Sequence, residues 1–250
     1  MTTKIKRTLF PLITSMILAP LAHARLNRCS ASIAATTTYY TPSAKVICNS
    51  NRPCDEFKEI VNTQGSGTLG NGKIYTHTGQ TVDIGDCKTT KGKGNTCLIP
   101  YISVAADLAY NELGTIIEVP HLKGKVVNLG NGKTMRHPGY FIVDDKGAST
   151  HVVGENRFDV YTGPYVPDDP NNSFGYEAAP DMQMAAENQC GAHKTFKVLE
   201  MGSAKRREAQ IAINNALRAA GEDPVYAVNS TSSSSSSSFE NPFGPSSGAQ

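Results

Sequence analysis

Two aspartates lie beside short apolar segments between residues 139 and 163, and both have the side chain needed for acid–base chemistry. Asp144 follows the apolar run 140–143, whose aromatic and β-branched residues predict a β-strand that leads into an Asp-Asp-Lys-Gly turn. Asp159 lies inside Arg-Phe-Asp-Val-Tyr-Thr-Gly, where Thr-Gly-Pro ends a second strand. An acidic group among apolar neighbours is costly unless it is paired, hydrogen-bonded or protonated. The pattern therefore predicts that the fold brings carboxyl groups together.

A third aspartate, Asp107, ends the predicted strand 99–107, and a further short strand is predicted within residues 113–120. Strand ends from different parts of a chain can meet on one side of a closed barrel. Aspartates at turns also bind backbone amides, which is a purely structural role. We favour that structural role for Asp145, and both roles stay open for Asp107.

Three segments resemble the three-aspartate ("3D") domain family. Residues 103–115, Ser-Val-Ala-Ala-Asp-Leu-Ala-Tyr-Asn-Glu-Leu-Gly-Thr, are similar to its first motif, Val-Ala-x-Asp followed by Leu-Gly-Thr. Residues 143–148, Val-Asp-Asp-Lys-Gly-Ala, resemble its second motif, Asp-x-Gly-Gly-Ala. Residues 157–163 resemble its third, Arg-x-Asp-x-Tyr-x-Gly. The motifs stand in the family's order and cover roughly residues 65–163.

This resemblance implies a mainly β fold, a six-stranded double-psi β-barrel, of the kind found in membrane-bound lytic murein transglycosylases. Such enzymes cleave the MurNAc–GlcNAc β-1,4 bond of peptidoglycan glycan strands without water and leave a 1,6-anhydro sugar. The resemblance assigns the general acid and base to Asp159, with Asp144 beside it. It implies substrate-binding roles for four further residues: Asp107, Tyr161, Arg157 and Gly147. Tyr161 is expected to stack on a sugar face.

Physical chemistry agrees with an aspartate in the acid role. Burial among Phe158 and Tyr161 and the charge of Asp144 are expected to raise the pKa of Asp159. The protonated carboxyl could then donate to the glycosidic oxygen and later accept the proton of the sugar's 6-hydroxyl. Two alternatives remain. One is a non-catalytic glycan-binding or wall-associated barrel module, and the other is a glycoside hydrolase acting on β-linked glycans.

Two copies of Leu-Gly-Asn-Gly-Lys, at residues 69–73 and 129–133, predict hairpin turns, because Asn-Gly tolerates positive φ angles. Each is followed by a histidine, His77 or His137, and then by a glycine. This internal repeat suggests a barrel with two related halves. The histidines are interpreted as half-exposed strand residues beside the turns, rather than as a matched pair in a groove.

The first 24 residues predict a signal peptide, with a basic start, an apolar core at 9–21 and an Ala-His-Ala cleavage site. We therefore expect an exported protein, periplasmic or secreted, without a stable membrane anchor after cleavage. All 6 cysteines follow the cleavage site, which favours disulfides over metal ligation. Pairing of near neighbours predicts Cys48–Cys54 and Cys87–Cys97, which leaves Cys29–Cys190.

The remaining boundaries follow from composition. Residues 25–64 predict an N-terminal arm with one short helix at 53–61. Residues 65–202 are predicted to form the barrel, with its last strand at 194–201. Residues 203–223 contain an amphipathic helix that ends at Gly221, and residues 224–250 form a Ser-rich tail expected to be disordered. With 24 basic and 22 acidic residues the net charge is +2, which gives no argument for a nucleic-acid partner. We expect no cofactor and no metal.

Overall fold

The computed structural model describes residues 33–130, 132–147, 154–166, 168–174, 184–186 and 195–227. Most of the regular structure is β. The strands, in chain order, are β1 (Ile33–Tyr39), β2 (Ser66–Thr68), β3 (Lys73–Thr76), β4 (Thr81–Asp83), β5 (Ser103–Ala106), β6 (Ile116–Glu118), β7 (Val126–Gly130), β8 (Lys133–Arg136), β9 (Tyr140–Lys146), β10 (Arg157–Tyr161), β11 (Met184–Ala186) and β12 (Thr195–Leu199). The helices are α1 (Ala44–Ile47), α2 (Asp55–Gln64) and α3 (Ala204–Ala219), with a 3-10 turn at Pro120–Leu122.

Seven strands pair in the order β1-β10-β5-β9-β6-β12-β11, and β11 pairs with β1 again. These strands are called the ring below. The pairs β1–β10, β5–β9 and β11–β12 are parallel, and the other pairs in the ring are antiparallel. The predicted mainly β architecture is confirmed, but the pairing joins seven strands rather than the six that the resemblance implies. One of these seven strands, β1, lies within the predicted arm at residues 25–64.

The side chains that fill the interior of the ring alternate along its strands with side chains that face outward. Successive side chains of a strand point to opposite faces, so every second residue faces the core. Val104 and Ala106 of β5 belong to the same buried apolar cluster as Phe158 and Val160 of β10. Ser103 and Ala105 alternate with Val104 and Ala106 along β5 and face the other side of the sheet. The outer face of β5 and its two neighbours is where the aspartates meet.

The two predicted hairpins are confirmed. β2 and β3 pair antiparallel around the first Asn-Gly turn, and β7 and β8 pair around the second. Both hairpins form small sheets outside the ring, so they do not open two barrel halves. The histidines of the repeat also differ: His77 is exposed, whereas His137 is buried and its Nε2 lies 2.8 Å from the carbonyl oxygen of Tyr101. Burial lowers the pKa of His137 to about 3, so it is neutral.

The predicted C-terminal helix is confirmed as α3. The Ser203 hydroxyl accepts from the amide of Arg206 at 3.2 Å and caps the helix N-terminus. At the other end Gly221, with a φ of 71°, turns the chain out of the helix, and the amide of Glu222 donates back to the carbonyl of Leu217. The buried face, Ala209, Ile213 and Leu217, packs on the ring core.

The two short-range disulfides are confirmed as Cys48–Cys54 and Cys87–Cys97. The first joins α1 to the start of α2, the short helix predicted in the arm. Both fit an oxidising compartment. The predicted signal peptide and the Cys29–Cys190 pair lie outside the described residues, as does most of the Ser-rich tail. Within the described part of the chain, no helix is long and apolar enough to cross a membrane.

Candidate functional site

The second and third motifs lie on the two strands that flank β5. Ala105 pairs with Asp145 of β9 on one side and with Asp159 of β10 on the other. Residues in register on neighbouring strands point to the same face, and adjacent strands are about 4.8 Å apart. The carboxyl groups of Asp145 and Asp159 are therefore separated by one strand, on the outer face of the ring.

A β-bulge places Asp144 at this site. The register of β5 and β9 shifts between Val104 and Ala105, which pair with Val143 and Asp145, so Asp144 is the extra residue. A bulge bends the strand and redirects the side chain of the inserted residue. The predicted turn at residues 144–147 is accordingly wrong, since β9 continues through both aspartates to Lys146. The bulge allows consecutive acidic residues within a buried strand.

Asp144 is a buried carboxyl group that holds a proton near neutrality. It is only 6% exposed, and its Oδ2 accepts a 2.6 Å hydrogen bond from the Ser103 hydroxyl. The Ser103 oxygen in turn accepts from the amide of Ile99 at 2.9 Å. Burial raises the pKa of Asp144 to about 7, the hydrogen bond from Ser103 opposes that rise, and the charge of Asp145 adds to it. At pH 7 the group is close to half protonated, as a general acid requires.

Asp145 joins the bulge to a loop closed by the Cys87–Cys97 disulfide, here called the disulfide loop (residues 87–97). Its Oδ1 accepts from the amides of Lys93 and Lys146, both at 2.8 Å, and its Oδ2 accepts from the Tyr39 hydroxyl at 3.4 Å. Burial raises the pKa of Asp145, although these hydrogen bonds lower it. The hydrogen bonds from these two backbone amides agree with the structural role expected for Asp145.

Two tyrosines cover the face between the carboxyl groups. Tyr39 and Tyr161 have ring centroids 5.3 Å apart and pack on Ala105 and Leu98. Burial raises the pKa of Tyr39, and the charges of Asp145 and Asp159 raise it further. Tyr161 is fully buried, its hydroxyl lies 2.8 Å from that of Thr41, and burial raises its pKa to about 12. It exposes no ring face, so the expectation that it stacks on a sugar is not met here.

The other residues that the motifs assign to substrate have different surroundings. Asp107 accepts from the amides of Ala109 and Gly154, each at 3.0 Å, and these bonds lower its pKa. It thus fixes two loop segments, as an aspartate at a turn does. Gly147 is buried, and its amide donates to the carbonyl of Ala106 at 2.9 Å. Arg157 is half-buried.

Two cavities meet at Asp144. The larger has a volume of about 790 Å³ and is lined by Asp144, Thr96, Leu98, Lys88, Lys133 and Glu222, among others. The smaller, of about 400 Å³, is lined by Asp144, Thr96, Ile142, Leu113, Val225 and Tyr226, among others. Asp144 is thus the aspartate of the three motifs that lines both cavities. Asp159 is half-buried, with a buried Oδ1, and lines neither cavity.

No family model and no curated protein matches the chain. Among solved structures it is similar to MltA from Escherichia coli. The crystal structure of MltA with bound chitohexaose shares 13% identity at a TM-score of 0.38, covering 68% of this chain and 72% of that one. A second MltA structure, described as a unique lytic transglycosylase fold, shares 14% identity at a TM-score of 0.34, covering 58% and 69%. These distant likenesses carry no assignment of activity.

Several residues of the site were not identified from the sequence. Ser103 belongs to the first motif but precedes its aspartate, and nothing in its surroundings marks it as a partner of Asp144. Tyr39 lies in the predicted arm, and Lys88, Lys133 and Glu222 lie outside the three aspartate motifs. Within the described residues, no group of three or more His, Cys, Asp and Glu side chains could hold a metal ion.

Proposed function

We propose that this chain is a lytic transglycosylase that cleaves the MurNAc–GlcNAc bond of peptidoglycan, with Asp144 as its proton donor. The observation that carries the proposal is the position and acidity of Asp144. It is a buried carboxyl group, its pKa is raised to about 7, and it lines two adjoining cavities. The three motifs in family order support the substrate class.

The reaction needs a single group that first gives and then takes a proton. In our proposal the protonated Asp144 donates to the glycosidic oxygen while the bond from C1 to that oxygen breaks. The 6-hydroxyl of the same sugar then forms a new bond to C1 of the oxocarbenium-like intermediate. Its proton returns to the Asp144 carboxylate, so no water is consumed and the product carries a 1,6-anhydro ring.

The neighbouring groups have supporting roles in this proposal. The Ser103 hydroxyl, 2.6 Å from Oδ2, orients the carboxyl group. The resemblance assigns the acid to Asp159, whereas the cavities favour Asp144 for that role. Asp159 then has a positioning role one strand away, across β5 from Asp145. Asp107, Arg157 and Gly147 remain proposed contacts of the sugar chain.

The proposal includes a location and a fold class. Cell-wall glycans lie outside the cytoplasm, and the two disulfides fit export to the periplasm or beyond. We also assign the ring to the double-psi class. The parallel pairs β1–β10 and β5–β9, set among antiparallel ones, support that assignment.

Digestion of murein sacculi by the purified protein tests the function, with the soluble products identified by mass spectrometry. We expect 1,6-anhydro products from the wild type and a rate at least about a hundredfold lower for Asp144→Asn. Asp159→Asn is expected to be slower than wild type but more active than Asp144→Asn. Asp55→Asn changes an exposed carboxylate that pairs with Lys58 on α2, and it should leave the rate unchanged.

Three results would overturn this proposal, and each supports a different alternative. Products with ordinary reducing ends would make the protein a hydrolase. Binding to sacculi without any product would make it a glycan-binding module. An active Asp144→Asn variant together with an inactive Asp159→Asn variant would return the acid role to Asp159.

A further inference from the structure

The chain that follows α3 lines the larger cavity. We call residues 221–226 the C-terminal strap. It begins at Gly221, where the positive φ of 71° turns the backbone away from the helix axis. Glu222, Asp223, Pro224 and Val225 of the strap all line the cavity that also contains Asp144. A segment of this chain therefore forms part of the wall of the cavity proposed for substrate.

Glu222 holds the strap at the cavity wall through two lysines from different elements. Its Oε2 lies 2.6 Å from Nζ of Lys88, in the disulfide loop, and its Oε1 lies 2.6 Å from Nζ of Lys133, at the start of β8. Lys133 also donates to the carbonyl of Gly221 at 2.9 Å. The Glu222 side chain is 17% exposed, whereas the two lysines are 55% and 42% exposed. One carboxylate is thus held between two ammonium groups at the wall of the cavity.

The rest of the strap is attached mainly by polar contacts with α3. The buried side chain of Asn214 accepts from the amides of Val225 and Tyr226, at 3.0 and 3.1 Å, and donates to the carbonyl of Tyr226 at 2.8 Å. Val225 remains exposed. Within the described residues the Tyr226 hydroxyl is buried without a hydrogen-bond partner. Burial raises its pKa, and the charge of Asp144 adds to that rise. The strap thus reaches from the lysine pair to the proposed proton donor.

The net charge around the two lysines depends on the strap. With the strap in place, the negative charges of Glu222 and Asp223 balance the positive charges of Lys88 and Lys133. Asp223 lies 3.5 Å from Lys88. Both acids belong to the strap and depart together with it. The lysines then line a cavity whose other acidic lining residues are Asp86 and Asp144. Two ammonium groups on separate elements form a site for a single anionic group, and carboxylates are strong acceptors for them.

We propose that Lys88 and Lys133 form a subsite for a carboxylate of the glycan substrate, and that Glu222 occupies this subsite until substrate displaces it. The inference rests on the proposed function and refines its substrate class. MurNAc carries a lactyl carboxylate in peptide-free strands, and the peptide on murein carries carboxylates of its own, whereas GlcNAc has none. The subsite therefore prefers MurNAc-containing ligands over neutral chitin fragments.

Calorimetric titration of the full chain with three probes tests the subsite. The probes are N-acetylmuramic acid, N-acetylmuramoyl-L-alanyl-D-isoglutamine and N-acetylglucosamine, which separate the lactyl carboxylate, a peptide carboxylate and a neutral sugar. We expect Glu222→Gln to tighten binding of at least one acidic probe about tenfold, because the competing carboxylate is gone, and to leave N-acetylglucosamine unchanged. Lys133→Met in the Glu222→Gln background should abolish that gain. Glu200→Gln, an exposed position before α3, is the matched control.

Two results would overturn the inference. One is an equal change for the acidic and neutral probes in Glu222→Gln. The other is a lower unfolding temperature with unchanged affinities, which would make Glu222 a structural tie alone. Neither result bears on the production of 1,6-anhydro sugars from sacculi, so a failure of the subsite is distinguishable from a failure of the proposed activity. Conversely, the preference for acidic probes is measurable in a protein that cleaves nothing.

Discussion

At the residue scale, the surroundings of each carboxyl group decide what it can do. Asp144 and Asp107 have the same type of side chain in different surroundings. Burial raises the pKa of Asp144 to about 7, whereas hydrogen bonds from two backbone amides lower the pKa of Asp107. A half-buried aspartate that accepts from amides stays charged and fixes loops. A buried aspartate with one hydroxyl donor retains its proton near neutral pH. The proposed division of roles between the aspartates follows from this difference.

The pKa of Asp144 makes a prediction about stability. Its folded-state pKa of about 7 lies above the ordinary value of about 3.9, so between these values the unfolded chain releases a proton that the folded chain keeps. This group therefore lowers the free energy of unfolding as pH rises from about 4 to about 7, with no further change above. Asp144→Asn removes the effect. We expect the variant to gain up to about 4 kcal/mol relative to wild type between pH 4 and pH 8.

Urea denaturation of both proteins at a series of pH values measures this difference. Asparagine keeps an oxygen that can accept from Ser103, so the local hydrogen bond has a replacement. A constant difference between the two unfolding free energies across the series would contradict the raised pKa.

Sequence alone identified the carboxyl groups of the site but not their partners. Asp144 and Asp159 stand among apolar residues, which is a local signal. Ser103 is 41 positions from Asp144, and the two meet only because β5 pairs with β9 in parallel. The composition of Asp-Asp-Lys-Gly predicts a turn, whereas the structure has a β-bulge at Asp144. Its strand conformation is imposed by parallel pairing with β5, whose register resumes at Asp145 and Lys146 after the bulge.

At the element scale, the disulfide loop determines how well Asp144 is shielded from water. The hydroxyl of Thr96 contacts the carbonyl oxygen of Asp144 at 3.5 Å, and a side chain at Gly92 would collide with that same carbonyl. The amide of Lys93 donates to Asp145. The loop therefore lies directly against the bulge, and its closure by Cys87–Cys97 limits its movement.

Removal of that disulfide is expected to affect both stability and acidity. Cys87→Ser with Cys97→Ser should lower the free energy of unfolding by about 2–3 kcal/mol, because the unfolded chain gains freedom over a short loop. It should also bring the pKa of Asp144 down toward its ordinary range, since a freer loop admits water. NMR titration of the carboxyl carbon measures the pKa.

The second disulfide provides the matched control for this experiment. Cys48–Cys54 closes a shorter loop between α1 and α2 and packs against an apolar cluster separate from the ring core. Its double serine variant should lose stability to a comparable extent and leave the pKa of Asp144 where it was. Equal shifts of that pKa in both variants would show that the disulfide loop has no specific effect on the site.

At the scale of the whole molecule, local signals predicted the parts and missed one long-range connection. The Asn-Gly hairpins and α3 were predicted because a turn sequence or a helical period is contained within a few residues. β1 was not, because residues 33–39, Ile-Ala-Ala-Thr-Thr-Thr-Tyr, have weak alternation. That strand is held by parallel pairing with β10, more than a hundred positions later. The ring thus joins the predicted arm to the third motif.

Helix α3 links the ring core to the proposed site. A guanidinium nitrogen of Arg206 donates to the carbonyl of Gly114 at 2.6 Å near its start, and Asn214 binds the strap near its end. Leu217 packs in the core and also lines the larger cavity. The position of the strap at the cavity wall therefore depends on the packing of the helix.

Two isoleucines on α3 test this dependence. Ile213 is fully buried in the core and Ile211 is 59% exposed, so the two share a helix and a side chain but not an environment. Ile213→Ala should lower the free energy of unfolding by about 2–5 kcal/mol through lost burial and a cavity, whereas Ile211→Ala should change it by less than about 0.5 kcal/mol. Alanine favours helix at both positions, so propensity does not explain a difference. Equilibrium denaturation in urea measures both variants, and similar losses would mean that α3 is not docked on the ring through this face.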